Sequence, residues 1–475
     1  MDNKMRVHHI SPFALLLALT ATACGDDTAD TTKPDPMGTA GAGNEDPNTV
    51  EIYSWWTAGG EAEALSLLID LYKDEHSGND VLNSTTGDAG KAFAAMNERL
   101  ANDDPPDSWQ AILGKNLLTY TQFVPSDADG MPVDGVDPVN MTEDLSDLYE
   151  SEGWTDKIPP GVLEAMKGGG SGYYAVPLSV GRINELFYNK KLFAQYDLPI
   201  PETAEDLFAI GDALKGEVDA DGKPIIPLVV SSGYDPAGSP AWPVRFVADA
   251  VMMARDGGIE FRKAYYAGEK DADDPMYKEA ADDFTKLLTM YTNAGNMDLA
   301  PDEADQALKM EWQAAADMVH SGRAAMFLHG NWVKAYLESL GDVADTDFGV
   351  SQFPPKAFVY AGDSFVVSKD APHKEAAMEF IKLLGDPEAQ SAFNKKKGAL
   401  PARIDADTSD YDTIGQQAAA DFANPAVTLV PCAWDYPPID YWKCWEDAVY
   451  QAVQDGDGAA FASACVDKYD LLKSK

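Results

Sequence analysis

Val50-Glu51-Ile52-Tyr53-Ser54-Trp55-Trp56-Thr57-Ala58-Gly59-Gly60-Glu61 is the stretch that sets the architecture. Val50–Trp56 alternates and is rich in β-branched and aromatic residues, the pattern of a strand. Glu61–Glu75 follows with Ala64, Leu68, Leu71 and Tyr72 on one helical face. A strand feeding an amphipathic helix is the opening of an α/β unit. Further along, Asp107–Leu113 (after the Pro105-Pro106 breaker), Tyr173–Ser179, Pro224–Ser231 and Gly349–Phe353 are strand-like. Ala204–Leu214, Tyr277–Ala294 and Lys374–Leu384 carry helical periodicity. The alternation predicts an α/β fold with mostly parallel sheets and no internal repeat.

The chain has 475 residues, enough for two or three domains. It is 45% apolar and 10% aromatic, too rich in core formers to be generally disordered. Asp plus Glu number 79 against 36 Lys plus Arg, a formal net charge of −43. Such a body repels nucleic-acid phosphates and anionic lipid, and no basic stripe offsets it. A neutral or cationic small partner fits that field better than a polyanion.

Lys4 and Arg6 precede an apolar run, Phe13–Ala23, broken only by threonines. It is shorter than the roughly 20 residues a bilayer span needs and has the proportions of a signal-peptide core. Ala21-Thr22-Ala23-Cys24-Gly25 resembles a lipoprotein signal, in which Cys24 becomes the lipidated first residue after removal of 1–23. The plainer alternative is an ordinary signal peptide cleaved nearby. Gly25–Asn48 has one large apolar residue, Met37, among Asp, Thr, Gly, Ala and Pro. It cannot bury enough surface to fold, so 24–48 is expected to be an acidic tether between membrane and body.

Cys432, Cys444 and Cys465 remain in an exported body, an odd count that points to one disulfide and one spare thiol. Cys444 and Cys465 flank the turn Gln454-Asp455-Gly456-Asp457-Gly458 at distances that bring antiparallel helices level, so they are the expected pair. No C-x-x-C indicates zinc. The histidines His76, His320, His329 and His373 form no H-E-x-x-H, and there is no G-x-S-x-G or Walker A loop. Asp127-Ala128-Asp129-Gly130 and Asp219-Ala220-Asp221-Gly222 do not complete an EF-hand. No cofactor, metal or catalytic residue is expected, and nothing compels an enzyme.

The ordered set of motifs resembles the extracellular solute-binding proteins of ABC sugar importers, the maltose-binding-protein superfamily, and within it the glucose-binding branch. Its carriers are Glu51–Trp56 leading into a helix, Asp104-Pro105-Pro106-Asp107 with Trp109-Gln110, and Glu152-Gly153-Trp154. Val176-Pro177 with Arg182 and Asn184 follows, then Gly322–Met326 with Gly330-Asn331-Trp332, Asp363-Ser364-Phe365, and Lys397–Arg403. The resemblance implies a two-lobed periplasmic-binding-protein fold, with three interlobe crossings and a ligand cleft. It places the crossings near Val176–Arg182, Phe327–Gly330 and Lys397–Arg403. Lobe 1 is then expected at 50–176 plus 330–396, and lobe 2 at 178–328 plus 400–475.

A pyranose presents apolar C–H faces and a rim of hydroxyls, which aromatic planes and carboxylate, amide or ammonium groups complement. The resemblance carries sugar contacts to Trp55, Trp56 and Glu61, where a strand end meets a helix N-terminus. Neighbouring strand residues point to opposite faces, so at most one tryptophan can stack squarely on a ligand. Gln110, Lys115, Arg182, Asn184, Trp242, Asn331, Asp363 and Lys397 complete the expected ligand set; Trp312 and Trp332 read as packing. Three positions depart from the glucose-binding pattern: Ile112 replaces a basic or imidazole group, Asn331 an acid, and Pro431 a histidine. They put the identity of the sugar in doubt, not the class.

The implied function is an exported, lipid-anchored monomer that captures a neutral mono- or short oligosaccharide and hands it to a membrane-embedded ABC permease, without catalysis. A polyol or other small solute on the same fold is one alternative. A secreted glycoside hydrolase is another, and it requires two carboxyl groups facing each other about 5–10 Å apart.

Overall fold

The strand at the start of the folded body belongs to the first of the two sheets found among the described residues. In the computed structural model β1 (Thr49–Tyr53) runs parallel to both its neighbours, β2 (Asp80–Asn83) and β3 (Ser108–Ile112). Residues 47–57, 59–85, 89–125, 133, 135–231, 242–292, 310–432, 441, 444–445, 447–448, 451–452 and 458–473 are described. The readings of the signal peptide, Cys24 and nearly all of the tether fall on residues outside that set.

The first sheet continues outward from β3 through β9 (Ala357–Val367), β4 (Val176–Arg182) and β10 (Leu400–Pro401), and β11 (Thr428–Pro431) also pairs with β9. The second sheet has the order β6 (Ile226–Val229), β7 (Ala324–His329), β5 (Glu185–Asn189), β8 (Phe348–Gln352). The sheets are mixed rather than mostly parallel. β9 runs antiparallel to β3 and β4, and β5 runs antiparallel to β7 and β8. The physical reason lies in the connections. Parallel neighbours need a crossover helix, whereas β5 and β9 each enter directly from the other sheet, so the crossing sets their direction.

The strand memberships also correct the expected lobe boundaries. The chain leaves the first sheet between Arg182 and Glu185 and returns between Gln352 and Ala357, not near Phe327–Gly330. Gly330 continues into helix Trp332–Ser339, whose Val333 and Leu337 pack on Phe187 and Phe327 of the second sheet, and β8 then extends that sheet. Nor does the chain change sides at Lys397–Arg403. β10 pairs with β4, and Ala418 and Phe422 of helix Thr413–Ala423 join the first core. Tyr441, Trp445, Phe461 and Tyr469 pack with the second sheet's core, whereas β11 belongs to the first sheet.

Each sheet has its own core. Val50, Ile52, Leu68, Trp109, Phe365 and Phe380 pack about the first, and helix Lys374–Leu384 contributes Phe380, Ile381 and Leu384, each worth about 1.5–3 kcal/mol of apolar burial. The second sheet is covered on both faces, with Leu186, Met326 and Phe284 on one and Phe187, Val229 and Phe327 on the other. Among the described residues no helix is long and apolar enough to cross a membrane.

Cys444 and Cys465 form a disulfide with Cα atoms 5.9 Å apart, and Cys432 is buried. A crosslink over a sequence separation of 21 removes loop entropy from the unfolded chain. The Cys444→Ser/Cys465→Ser double variant is therefore expected to lose roughly 3 kcal/mol in urea unfolding. A loss under about 0.5 kcal/mol would show the bridge to be energetically idle.

Candidate functional site

Where β1 ends, Ser54 opens a chain of polar contacts that crosses the first sheet. Asn83 fixes the Ser54 backbone at both ends: Nδ2 donates to the Ser54 carbonyl at 2.9 Å, and Oδ1 accepts from the Ser54 N–H at 2.9 Å. The Ser54 hydroxyl donates to Gln110 Oε1 at 2.6 Å, and Gln110 Nε2 donates to Asp363 Oδ1 at 2.9 Å. Lys397 Nζ donates to Asp363 Oδ2 at 2.5 Å, lies 3.4 Å from Ser179 Oγ and 3.8 Å from Glu61 Oε1, and sits 4.5 Å over the Trp56 ring. Seven elements thus converge: the end of β1, β2, β3, β4, β9, helix Gly59–Glu75 and helix Pro387–Lys397.

The two helices place their charges for a local reason. Glu61 lies in the first turn of Gly59–Glu75, and Lys397 ends Pro387–Lys397; acid at an N-terminus and cation at a C-terminus both complement the helix dipole. The ends approach closely, since a Cβ on Gly60 would lie 3.5 Å from the Lys396 carbonyl. On β9, Gly362 precedes Asp363 because a Cβ there would meet Leu113 Cδ1 at 2.3 Å and the Ser179 carbonyl at 3.0 Å.

Exposure divides this set. Gln110 is 2% exposed and the Lys397 side chain 6%, so they brace the network from within. The Glu61 side chain keeps 45% of its surface. Desolvation by the surrounding protein raises its carboxyl pKa; Lys397 opposes the shift and Asp363 adds to it. Trp55 is half-buried at the edge of the first core, its ring centroid 5.1 Å from that of Phe93. Trp56 is 1% exposed, packed at 4.9 Å on Phe393 and 5.8 Å on Phe365. Of the pair only Trp55 keeps appreciable exposure; Trp56 is buried beneath Lys397.

The remaining expected residues are distributed differently. Arg182 and Asn184 flank the first crossing and are spent on it. Arg182 donates to Asp421 Oδ2 at 2.7 Å and to the Ala357 carbonyl at 3.1 Å, and its guanidinium stacks 4.6 Å from the Phe358 ring. Asn184 Nδ2 donates to the same carbonyl at 3.0 Å, while its Oδ1 accepts from Val359 N–H at 3.0 Å. Asn331 is 7% exposed, its N–H donates to the Arg182 carbonyl at 2.9 Å, and its buried Oδ1 has no hydrogen-bond partner. It contacts Gly181, two residues along β4 from Ser179, and so brings an open acceptor from the second-sheet side towards the network.

Lys115 lies in the turn Gly114–Leu117 after β3, and Trp242 begins helix Trp242–Met253; both side chains are outside the described set. Ile112 is half-buried and directly opposite Asp363 across the β3–β9 ladder, while Pro431 ends β11 opposite Tyr360. Sequence reasoning missed Ser54, Asn83 and Ser179. The signal was a small hydroxyl inside an apolar strand, as in Leu178-Ser179-Val180, where the buried side chain must find a polar partner.

The arrangement can hold an uncharged polyol by one ring face and several hydrogen bonds. Glu61 and Asp363 are drawn to one ammonium on the same wall, rather than opposed across a gap as an acid and nucleophile pair would be. Among the described residues there is no cluster of three or more His, Cys, Asp or Glu that could hold a metal. A recess of about 380 Å³ lined by Glu75, His76, Trp154, Lys382 and Arg403 lies at the opposite end of helix Gly59–Glu75 from Glu61.

A model of the family described as bacterial extracellular solute-binding protein matches residues 99–425. This chain belongs to that family. The solute-binding protein is 28% identical over 424 residues to an uncharacterized ABC transporter extracellular-binding protein of Pyrococcus horikoshii, covering 88% of this chain and 85% of that one. It is 29% identical to a probable sugar-binding periplasmic protein of Mesorhizobium japonicum (81% and 83% covered), and 25% identical to the xylose/arabinose-binding protein XacG of Haloferax volcanii (76% and 71%). Among solved structures, the bacterial solute receptor AcbH superposes with a TM-score of 0.69 at 18% identity over 89% of this chain and 97% of that one. A chitin oligosaccharide binding protein gives 0.70 at 17% over 90% and 99%. At these identities the structural likeness shows the fold, that of the solute-binding proteins.

Proposed function

We propose that this solute-binding protein captures a neutral mono- or short oligosaccharide and delivers it, without turnover, to an ABC permease. It acts as an exported monomer held to the membrane by lipid on Cys24. The observation that carries the reading is the polar network at the end of β1, where the partly exposed Glu61 carboxyl is braced by Lys397, Asp363 and Gln110 and the half-buried Trp55 lies just past the strand end. A planar indole covers the apolar face of a pyranose while carboxylate and ammonium fork onto adjacent hydroxyls. The names of several relatives support the same class, as sugar-binding or xylose/arabinose-binding proteins. Ile112 beside Asp363 replaces a polar group by an apolar one, so the hydroxyl pattern accepted here differs from that of the glucose-binding branch. An unpaired buried hydroxyl costs about 1–3 kcal/mol, enough to invert a preference between epimers.

The test is Trp55→Ala. Loss of the stacking face is expected to weaken binding of the preferred sugar by about 1–3 kcal/mol, roughly 5- to 150-fold in Kd by titration calorimetry. The melting temperature without sugar should move less than for a fully buried aromatic, because Trp55 is only partly buried at the edge of the first core. Unchanged affinity in a folded Trp55→Ala protein would remove this edge from the ligand site.

A further inference from the structure

Glu185 opens β5 immediately after the chain leaves the first sheet, and it is 1% exposed with its Oε2 bonded to nothing. It lines a pocket of about 220 Å³ with one wall from each half of the molecule. Val350 and Gln352 come from the second sheet, and Thr413, Ile414 and Gln417 from helix Thr413–Ala423 of the first core. The seam is pinned at its edge by an ion pair between Lys334, on the second-sheet helix Trp332–Ser339, and Asp412, which caps helix Thr413–Ala423 by accepting from Gly415 N–H at 2.8 Å.

We propose that the Glu185 carboxyl is a proton-operated wedge in this seam, accommodated with the seam closed when it is protonated and driving the seam open when it is ionised. A neutral carboxyl can be buried with one oxygen unbonded at modest cost; an ionised one cannot, and it draws in water. The groups facing it are named from every packed element. Arg182 at the end of β4 is already tied to Asp421, and Lys334 is already shared between Asp412 and Glu338. Asp412 and Asp345 contribute like charge at the seam. His329, opposite Glu185 on β7, is held neutral by burial, which pushes its pKa down to about 3. Burial likewise raises the Glu185 carboxyl to about 7, with Arg182 and Lys334 opposing and Asp412 adding to the shift.

The direction follows from linkage. In the closed seam the carboxyl titrates near 7, and in an opened, hydrated seam near its ordinary 4.5. The closed seam is therefore fully favoured below 4.5, and that preference is lost as pH rises to about 7, with opening increasing up to tenfold per pH unit before it levels off. The proposal concerns the hinge and holds whatever solute the protein carries.

Hydrogen exchange on the intact, ligand-free protein reads the opening directly. After division by intrinsic rates, exchange in segments 345–352 and 413–418 is expected to rise roughly fifty-fold from pH 5 to pH 8, and to stay flat in Glu185→Gln. Segment 374–384, remote from the seam, should not respond in either protein. A pH-independent seam in the native protein, or an equal response in Glu185→Gln, overturns the proposal. Should Glu185→Gln fail to fold, Asp412→Asn supplies the second arm. It removes a facing negative charge and releases Lys334, so the rise must level off at a lower pH, and an unmoved or higher plateau pH rejects the wedge.

Discussion

Asp363→Ala is expected to abolish solute binding and to cost about 3 kcal/mol of stability, while the double variant Asp363→Ala/Lys397→Met recovers most of the stability and none of the binding. The single substitution leaves the Lys397 ammonium, whose side chain is 6% exposed, without the carboxylate that it contacts at 2.5 Å. It also strips the Gln110 amide of its acceptor. A buried ammonium left with only the partly exposed Glu61 carboxylate 3.8 Å away is poorly compensated, and replacing both Asp363 and Lys397 by apolar groups removes that cost. Asp363 retains 20% exposure, which puts the loss at the lower end of the usual 3–5 kcal/mol. Urea unfolding of the native, two single and double variants measures the coupling, with calorimetric titration as the binding readout. Simple additivity of the two single losses would show that the pair does not act as a unit.

Arg182→Ala is expected to cost about 3–5 kcal/mol, and Arg182→Lys to recover little of it. The guanidinium is 2% exposed and spans Asp421 and the Ala357 carbonyl while lying on Phe358. It thereby ties together the end of β4, the start of β9 and helix Thr413–Ala423, the segments bounding two passages between the sheets. A lysine has one point charge and no planar fork, so it cannot make both contacts and the stacking at once. A fall in the urea midpoint at constant slope is the expected signature. A loss below about 1 kcal/mol would place Arg182 outside the structural frame and return it to the ligand set.

These expectations rest on features that were unequally visible in the chain. The Val50–Trp56 strand and the helix after it were legible because alternation and helical periodicity are local. Alternation also implies that two consecutive tryptophans point to opposite faces, and Trp55 is half-buried while Trp56 is core. The longest strand, β9, was hidden. Its Gly362-Asp363 pair reads as a turn signal, yet Gly362 is there because Leu113 and the Ser179 carbonyl leave no room for a Cβ.

The passages between sheets were misplaced for a related reason. A chain crossing from one sheet to another carries no compositional mark; membership is decided by pairings such as β8 with β5 and β11 with β9, which link residues far apart in sequence. Arg182 and Asn184 were read from their motif as ligand contacts. Their neighbours in space, Asp421, Ala357 and Val359, are what commit them to the hinge. The charge of −43 argued against nucleic acid, anionic lipid and polyanions without indicating the polar relay, in which Asp363 and Lys397 pair.

The most direct test of the central claim is a thermal-shift screen of the intact protein against neutral pentoses, hexoses, disaccharides and short oligosaccharides, with each sugar recovered and analysed afterwards. At least one sugar is expected to raise Tm by several degrees and to be recovered unchanged, with the shift absent in Asp363→Ala/Lys397→Met. A screen in which no sugar shifts Tm, or in which the stabilising sugar is recovered cleaved, would contradict a sugar-carrying, non-catalytic solute-binding protein.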